Sequence, residues 1–168
     1  GVAVEGGPAR EGVEEVTTDG RRKMVGGSGQ WSGVIQDTAS TSTVVALSGA
    51  RERSTSYGLA RGGLQQESRP LVVYVSAHSH SSVEKAALLA GFGRDNVRVV
   101  AHDERFAMRA DALDTAIAAD IAAGNRPCAI VATTGTTTTT APDPVRAIVD
   151  VAARPAVWVP VSAAMARS

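Results

Sequence analysis

Four short apolar runs rich in β-branched residues, each followed or preceded by a segment of helical period, predict an α/β fold. Such alternation makes a mostly parallel sheet flanked by helices. The runs are 71–76, 97–101, 128–133 and 157–161, and the helical segments between them end on glycine at Gly91 and Gly124. The 168 residues suit one ordinary domain. Hydrophobic residues make up 43% but aromatics only 4%, so Ala, Val, Leu and Ile must build the core.

Taken in order, residues 1–12 read as loop. Residues 13–24 read as a helix with Val13, Val16 and Met24 apolar, interrupted by Gly20, which costs about 1 kcal/mol against Ala. Residues 25–33 are a Gly/Ser-rich loop, and 1–33 together form an N-terminal helix and loop segment. Ser40 or Thr41 caps a helix running to about Arg53, with Val44, Val45, Leu47 and Ala50 on its buried side. Residues 54–69 are polar and glycine-bearing. Leu71–Ser76 is a buried strand. Ser81-Ser82-Val83-Glu84 fits a capping box, and Val83, Ala86, Ala87 and Ala90 recur at helical spacing before Gly91 ends the helix. After the strand at 97–101, residues 112–123 form a helix with Leu113, Ala116, Ile117 and Ile121 on one face. After the strand at 128–133, Asp143 caps a helix to about Ala153, with Pro144 in its first turn, where the missing N–H does no harm. The last strand, 157–161, carries Pro160, which removes a ladder hydrogen bond.

Charge and cysteine usage narrow the function. Lys+Arg and Asp+Glu are both 17, a net charge of 0 with no basic block, which argues against nucleic-acid binding. Cys128 is the one cysteine, so no internal disulfide forms and a reducing, cytoplasmic setting is expected. No apolar run reaches the roughly 18 residues that span a membrane. Residues 1–12 lack the basic and apolar regions of a signal peptide, and the first residue is Gly1 instead of Met, so the chain reads as part of a longer one.

Ligands of parallel α/β sheets sit beyond the carboxyl ends of the strands. There the sequence offers His78 and His80 after the first strand, Gly135 and the threonines 136–140 after the third, and Ser162-Ala163-Ala164 after the last. Upstream, Asp37-Thr38-Ala39-Ser40-Thr41 opens a helix with small residues. That pattern suits a phosphate, because free N–H groups and the helix dipole meet it there, and it equally suits an ordinary Ser/Thr cap. His80 reads as a loop histidine bonding nearby backbone or as a ligand-facing group. His78, His80, His102 and Cys128 show no zinc spacing, so no metal is expected. Gly27-Ser28-Gly29-Gln30-Trp31-Ser32 imitates a dinucleotide loop but lacks its third glycine.

Five stretches together carry a family resemblance: Gly33-Val34-Ile35-Gln36-Asp37-Thr38-Ala39-Ser40, His80-Ser81-Ser82-Val83-Glu84-Lys85, Phe106-Ala107-Met108-Arg109, Ala132-Thr133-Thr134-Gly135-Thr136-Thr137, and Val159-Pro160-Val161-Ser162-Ala163-Ala164-Met165-Ala166. From about Glu14 onward the chain resembles the group II pyridoxal-phosphate-dependent decarboxylases, and within them the aromatic-L-amino-acid branch. The resemblance implies a fragment of the fold-type-I large domain, with 34–168 as a partial cofactor-binding domain. It also implies pyridoxal 5′-phosphate as cofactor, a small-molecule substrate that is an L-amino acid of aromatic type, and a homodimer. By the same resemblance Ala39 and Ser40 bind the cofactor phosphate, and His80 stacks on the ring and assists protonation. Thr137 lies near the cofactor and the substrate carboxylate, and Ala164 touches the opposite ring face.

Ser162 falls where the family holds an aspartate. Loss of carbon dioxide leaves negative charge that the cofactor ring absorbs best when its nitrogen is protonated, and a neighbouring carboxylate favours that proton. A serine hydroxyl can bond the nitrogen without that charge. Pro160 stands for a usual histidine, Arg167 for a glycine and Gly20 for a tryptophan. The resemblance puts the lysine that anchors the cofactor, and the small domain, after Ser168; Lys23 and Lys85 match neither. The expectation is an amino-acid decarboxylase by family whose 168 residues are inactive alone. The alternatives are a non-catalytic remnant of such an enzyme and, more distantly, a nucleotide-dependent oxidoreductase on a Rossmann-like sheet.

Overall fold

The computed structural model describes residues 2–4, 13–16, 22–25, 39–56, 62–63, 67–77, 79–133 and 143–162. The strands are β1 Val2–Val4, β2 Val13–Val16, β3 Arg22–Val25, β4 Leu71–Ser76, β5 Val97–Val100, β6 Arg126–Thr133 and β7 Pro160–Ser162. The α-helices are α1 Ala39–Ser54, α2 His80–Leu89, α3 Ala110–Ala122 and α4 Val145–Ala153.

The main sheet runs β1-β7-β6-β4-β5. Its β7, β6, β4 and β5 pair in parallel, and β1 closes one edge antiparallel to β7. This is the mostly parallel α/β sheet that the alternation of apolar runs predicts. Growth starts at β4 and goes both ways, to β5 on one side and through β6 to β7 on the other. Right-handed crossovers in opposite directions put their helices on opposite faces. The two cores follow that rule. Leu47 and Ala50 of α1, and Val83, Ala86 and Ala87 of α2, pack on Val73, Val75, Ala129 and Val131. Leu113 and Ile117 of α3, and Ile148 and Ala152 of α4, pack on Val72, Tyr74, Ile130 and Ala132. Every residue of β4 is buried, as expected of a central parallel strand.

The helix stops are those of the sequence. Gly91 and Gly124 have φ of 84° and 83°, a region open to glycine without strain. In each case the residue after the glycine bonds back five residues, Phe92 N to Ala87 O and Asn125 N to Asp120 O, both at 2.9 Å. Each glycine N–H bonds three back, to Leu88 O and Ile121 O. These are Schellman closures.

Four local readings are corrected. Residues 13–24 are not helical: β2 and β3 form an antiparallel pair, Val13 opposite Val25 and Val16 opposite Arg22. The β-branched ends and the Asp19-Gly20 dipeptide between them are hairpin signals that outweigh three apolar residues at helical spacing. The segment before residue 34 therefore contributes strands, and β1 joins the main sheet. Second, α1 starts at Ala39 and turns Val45 outward, 47% exposed, while Thr43, Ala46, Leu47 and Ala50 face in. Third, α2 begins at His80, before the expected box, and Ser79 at its N-cap makes no side-chain cap bond. The Ser79 hydroxyl lies 2.8 Å from that of Ser76 instead. Fourth, β7 is short. Trp158 bridges Ala129, with its N–H on Cys128 O and its carbonyl taking Ile130 N–H. Two residues on, Pro160 has no N–H to continue, so the ladder resumes only at Val161.

One buried polar network ties the β4–β5 edge to α3. The Asp120 carboxylate, 6% exposed, accepts from Tyr74 Oη at 3.0 Å, Arg98 Nη2 at 2.9 Å and Asn125 Nδ2 at 2.7 Å. Burial pushes this carboxyl up, and the Arg98, Asn125 and Tyr74 bonds outweigh it, leaving the group below its ordinary range. Burial and the same Asp120 bond push the Tyr74 phenol far up.

Candidate functional site

Order reversal between β4 and β6 marks a topological switch point, and ligands of such sheets bind in the crevice outside the carboxyl ends of the strands there. Two long helices begin there. The C-terminal end of α1 is held at the amino ends of the strands, with Ser54 Oγ 3.2 Å from Cys128 Sγ and the Arg53 guanidinium 5.0 Å over the Trp158 ring. Its sixteen residues cover about 24 Å at 1.5 Å each, so its N-terminus lies at the carboxyl ends. The N-terminus of α2 follows β4 through a short turn closed by Ser79 N on Ser76 O at 3.2 Å. Positive helix ends thus flank the crevice from one face of the sheet.

The residues singled out in the sequence distribute around this crevice. Ala39 opens α1, and Ser40 follows it, exposed. His80 is the first residue of α2. Ser162 ends β7, in register with Thr133 of β6. Thr137 and Ala164 lie outside the described residues, as do His78 and the glycines at 27 and 29. His102 is exposed on the β5–α3 connection, its Nδ1 3.0 Å from Asp103 O and its ring 5.1 Å from that of Phe106. Among the described residues no group of three His, Cys, Asp or Glu could hold a metal ion.

Two residues at this edge escape a reading of local pattern. Asp143, expected to cap α4, is buried and turned the other way. Its Oδ1 accepts from Met108 N at 2.7 Å and its Oδ2 from Thr133 N at 2.8 Å, while its own N–H donates to Thr133 O at 2.9 Å. Pro144 takes the N-cap position without a side-chain bond. Asp143 therefore clamps the end of β6 to the connection after β5. Burial pushes its carboxyl up; the Met108 and Thr133 N–H groups pull it back only partly, and nearby Asp103 adds to the rise. The Asp-Pro dipeptide signals a turn, and nothing in it distinguishes a clamp from a cap.

Thr133 is the second. Both its backbone groups are held by Asp143, it is 8% exposed, and its Oγ1 is buried with no hydrogen-bond partner among the described residues. A buried hydroxyl left unpaired is unfavourable by roughly 1–3 kcal/mol. The sequence alone assigns Thr133 to the strand and sees no reason to separate it from the threonines that follow.

Comparison with known proteins agrees with this architecture. The pyridoxal-dependent decarboxylase conserved domain matches residues 1–168. The chain is 37% identical over 175 residues to an aromatic-L-amino-acid decarboxylase of Sus scrofa, covering 96% of the chain and 35% of that protein. It is 36% identical to tryptophan decarboxylase 2 of Oryza sativa subsp. japonica, covering 96% of the chain and 33% of the relative. Among solved structures, mouse CSAD superposes with a TM-score of 0.75 at 37% identity over 79% of this chain and 28% of that one. Oryza sativa TDC with PLP and tryptamine gives 0.66 at 38% identity over 75% and 26%. The chain spans about a third of the length of the curated relatives it matches. On the whole-length family match and these identities, the chain belongs to the pyridoxal-dependent decarboxylase family.

Proposed function

We propose that the protein containing these residues decarboxylates an L-amino acid of aromatic type with pyridoxal 5′-phosphate, and that the 168 residues alone are inactive. The observation that carries the reading is the meeting of two helix N-termini with an unsatisfied buried hydroxyl, Thr133 Oγ1, at the switch point of the sheet. An anionic, planar, hydrogen-bonding ligand fits that donor set, because the helix ends favour its phosphate and the hydroxyl takes its polar edge. When bound, the cofactor supplies the electron sink for the charge left by carbon dioxide.

In this reading the backbone N–H groups at Ala39 and Ser40 hold the phosphate at the start of α1. Small side chains there let it come close. His80, at the start of α2, covers the ring and moves a proton at the reacting carbon. Thr137 meets the substrate carboxylate, and Ala164 covers the second ring face. Ser162 bonds the ring nitrogen as a neutral hydroxyl and does not stabilise a proton on it as a carboxylate does. Residues 34–168 are the cofactor-binding part. The homologous aromatic-amino-acid and tryptophan decarboxylases support an aromatic substrate. A cytoplasmic homodimer completes the proposal. No described helix is long and apolar enough to cross a membrane, and Leu88 and Leu89 of α2, 44% and 78% exposed, give an apolar surface for association.

A second reading, a non-catalytic remnant, is favoured by the lysines. Lys85 is exposed on α2 and Lys23 lies in β3, opposite Glu15, and neither stands in the His-Lys motif that carries the anchoring lysine in the family. Titrating the purified chain with pyridoxal 5′-phosphate, then reducing with borohydride and weighing the protein, separates the cases. Saturable binding without a covalent adduct supports a cofactor domain that is inactive by itself. Absence of binding supports the remnant. Carbon dioxide released from dopa, tryptophan or tyrosine by the purified chain refutes the claim of inactivity.

A further inference from the structure

We propose that Thr133 is a cofactor-contacting residue whose hydroxyl hydrogen-bonds the ring edge of bound pyridoxal 5′-phosphate beside Ser162. The inference rests on the cofactor reading above and adds a residue to it. Four observations carry it. The Thr133 hydroxyl is buried and has no partner among the described residues. Its aim follows from strand alternation: Ala129 and Val131 pack in the core under α1 and α2, so Thr133, two residues further, faces the side where both helices begin. Its position is fixed, because Asp143 accepts from its N–H and donates to its carbonyl. Its neighbour across the ladder is Ser162, the residue that family resemblance gives to the ring nitrogen.

A hydroxyl can donate to a neutral pyridine nitrogen or a phenolic oxygen and can accept from either when protonated. The phosphate is served by the N-terminus of α1, so Thr133, on a strand, serves the ring. With serine instead of aspartate at 162, a second hydroxyl at this edge carries more of the recognition than it would beside a full charge. A hydroxyl buried without a partner is unfavourable, and a hydrogen bond to the ring would remove that penalty.

The test compares the purified chain with Thr133→Val, which keeps the shape, and Thr133→Ser, which keeps the hydroxyl. Pyridoxal 5′-phosphate is titrated by absorbance, inorganic phosphate is titrated as competitor, and thermal unfolding is followed without ligand. Loss of one hydrogen bond raises the Kd of T133V for pyridoxal 5′-phosphate about three- to tenfold, with T133S within about twofold of wild type. Inorganic phosphate binds all three equally, and the Tm of ligand-free T133V is equal to or above that of wild type. If T133V does not fold, Thr133→Ala carries the same expected loss of affinity. A T133V that binds the cofactor as tightly as wild type overturns the inference and leaves the cofactor reading standing. Equal weakening toward inorganic phosphate overturns the assignment to the ring. A lowered ligand-free Tm assigns the hydroxyl to structure. No binding by wild type removes the cofactor reading and this inference together.

Discussion

Replacing Asp143 by Asn tests whether the carboxylate, and not merely a polar side chain, holds the carboxyl end of β6. Both oxygens accept backbone N–H bonds, from Met108 at 2.7 Å and Thr133 at 2.8 Å. An asparagine has one acceptor oxygen, so its amide must turn N–H groups toward one of the two backbone donors. One buried donor then goes unpaired, a loss of about 1–3 kcal/mol. The neutral amide escapes the burial penalty that pushes the Asp143 carboxyl up, so the net effect falls near the lower end, about 1–2 kcal/mol of destabilisation at pH 7. Asp143→Ala strips both acceptors and exceeds it. Urea unfolding followed by circular dichroism reads the change as a lower midpoint at constant slope. The pH dependence adds a check of sign. A carboxyl whose folded pKa is raised binds more protons folded than unfolded between its ordinary value, 3.8, and its folded value. Stability from this group therefore falls as pH rises through that window, and the advantage of wild type over D143N narrows across it. D143N as stable as wild type at pH 7 would refute the clamp; a gap that widens as pH rises above 3.8 would instead show that the two N–H bonds outweigh burial at this carboxyl.

Ala156 occupies the left-handed region with φ of 56° in the turn after α4, where Val157 N bonds Ala152 O at 2.9 Å as the residues after Gly91 and Gly124 do in theirs. Ala156→Gly is expected to stabilise the chain by about 0.5–1 kcal/mol, and Gly124→Ala to destabilise it by about 1 kcal/mol, both read by thermal unfolding. A Cβ on Gly124 meets no atom within 4 Å, so the second loss is backbone strain alone. Cys128 is fully buried, and burial pushes its thiol up to about 11 against the smaller opposing effects of Ser54 and the nearby arginines. Native protein at pH 8 therefore leaves a thiol reagent unreacted over the time in which urea-unfolded protein reacts completely; fast labelling of folded chain defeats this account of the core. Tyr74→Phe removes one of the bonds to buried Asp120 and lowers stability by roughly 1–2 kcal/mol by urea unfolding, with Arg98 and Asn125 still holding the carboxylate.

What the sequence made legible was the part that apolar spacing decides. Val83, Ala86, Ala87 and Ala90 had to face a sheet, and Gly91 had to stop their helix, so α2 and its turn could be placed before any contact was known. The same holds for Leu113 and Ile117 before Gly124. Polar residues at element ends were read less well, because a hydroxyl or carboxylate near a helix start has several partners of similar worth. Ser81 lost to Ser79 as the start of α2 because the chain leaves β4 in a turn that Ser76 and Ser79 hold. Asp143 lost its capping role because two backbone N–H groups from other elements lay within reach of its oxygens. The hairpin of β2 and β3 is not legible in apolar spacing, because Val13, Val16 and Met24 stand three and eight residues apart, a helical and not an alternating pattern.

The same division separates scaffold from chemistry in the site. The apolar residues around the switch point are spread over β4, β6, β7 and four helices, so no single one of them defines it. In the proposed reading the charge that tunes the ring sits at one position, and there the chain has Ser162. On that reading, a sheet that keeps its register up to Thr133 and Ser162 would still hold a flat ligand while lacking the carboxylate that would hold its proton. Binding and turnover should therefore come apart in this chain: affinity set by helix ends and hydroxyls persists, and the electron-withdrawing strength of the bound ring falls. Absorbance of the bound cofactor as a function of pH measures that separation directly. A ring nitrogen that titrates below its value in free cofactor agrees with a neutral hydroxyl partner, and one held protonated above it would require a carboxylate that position 162 does not provide.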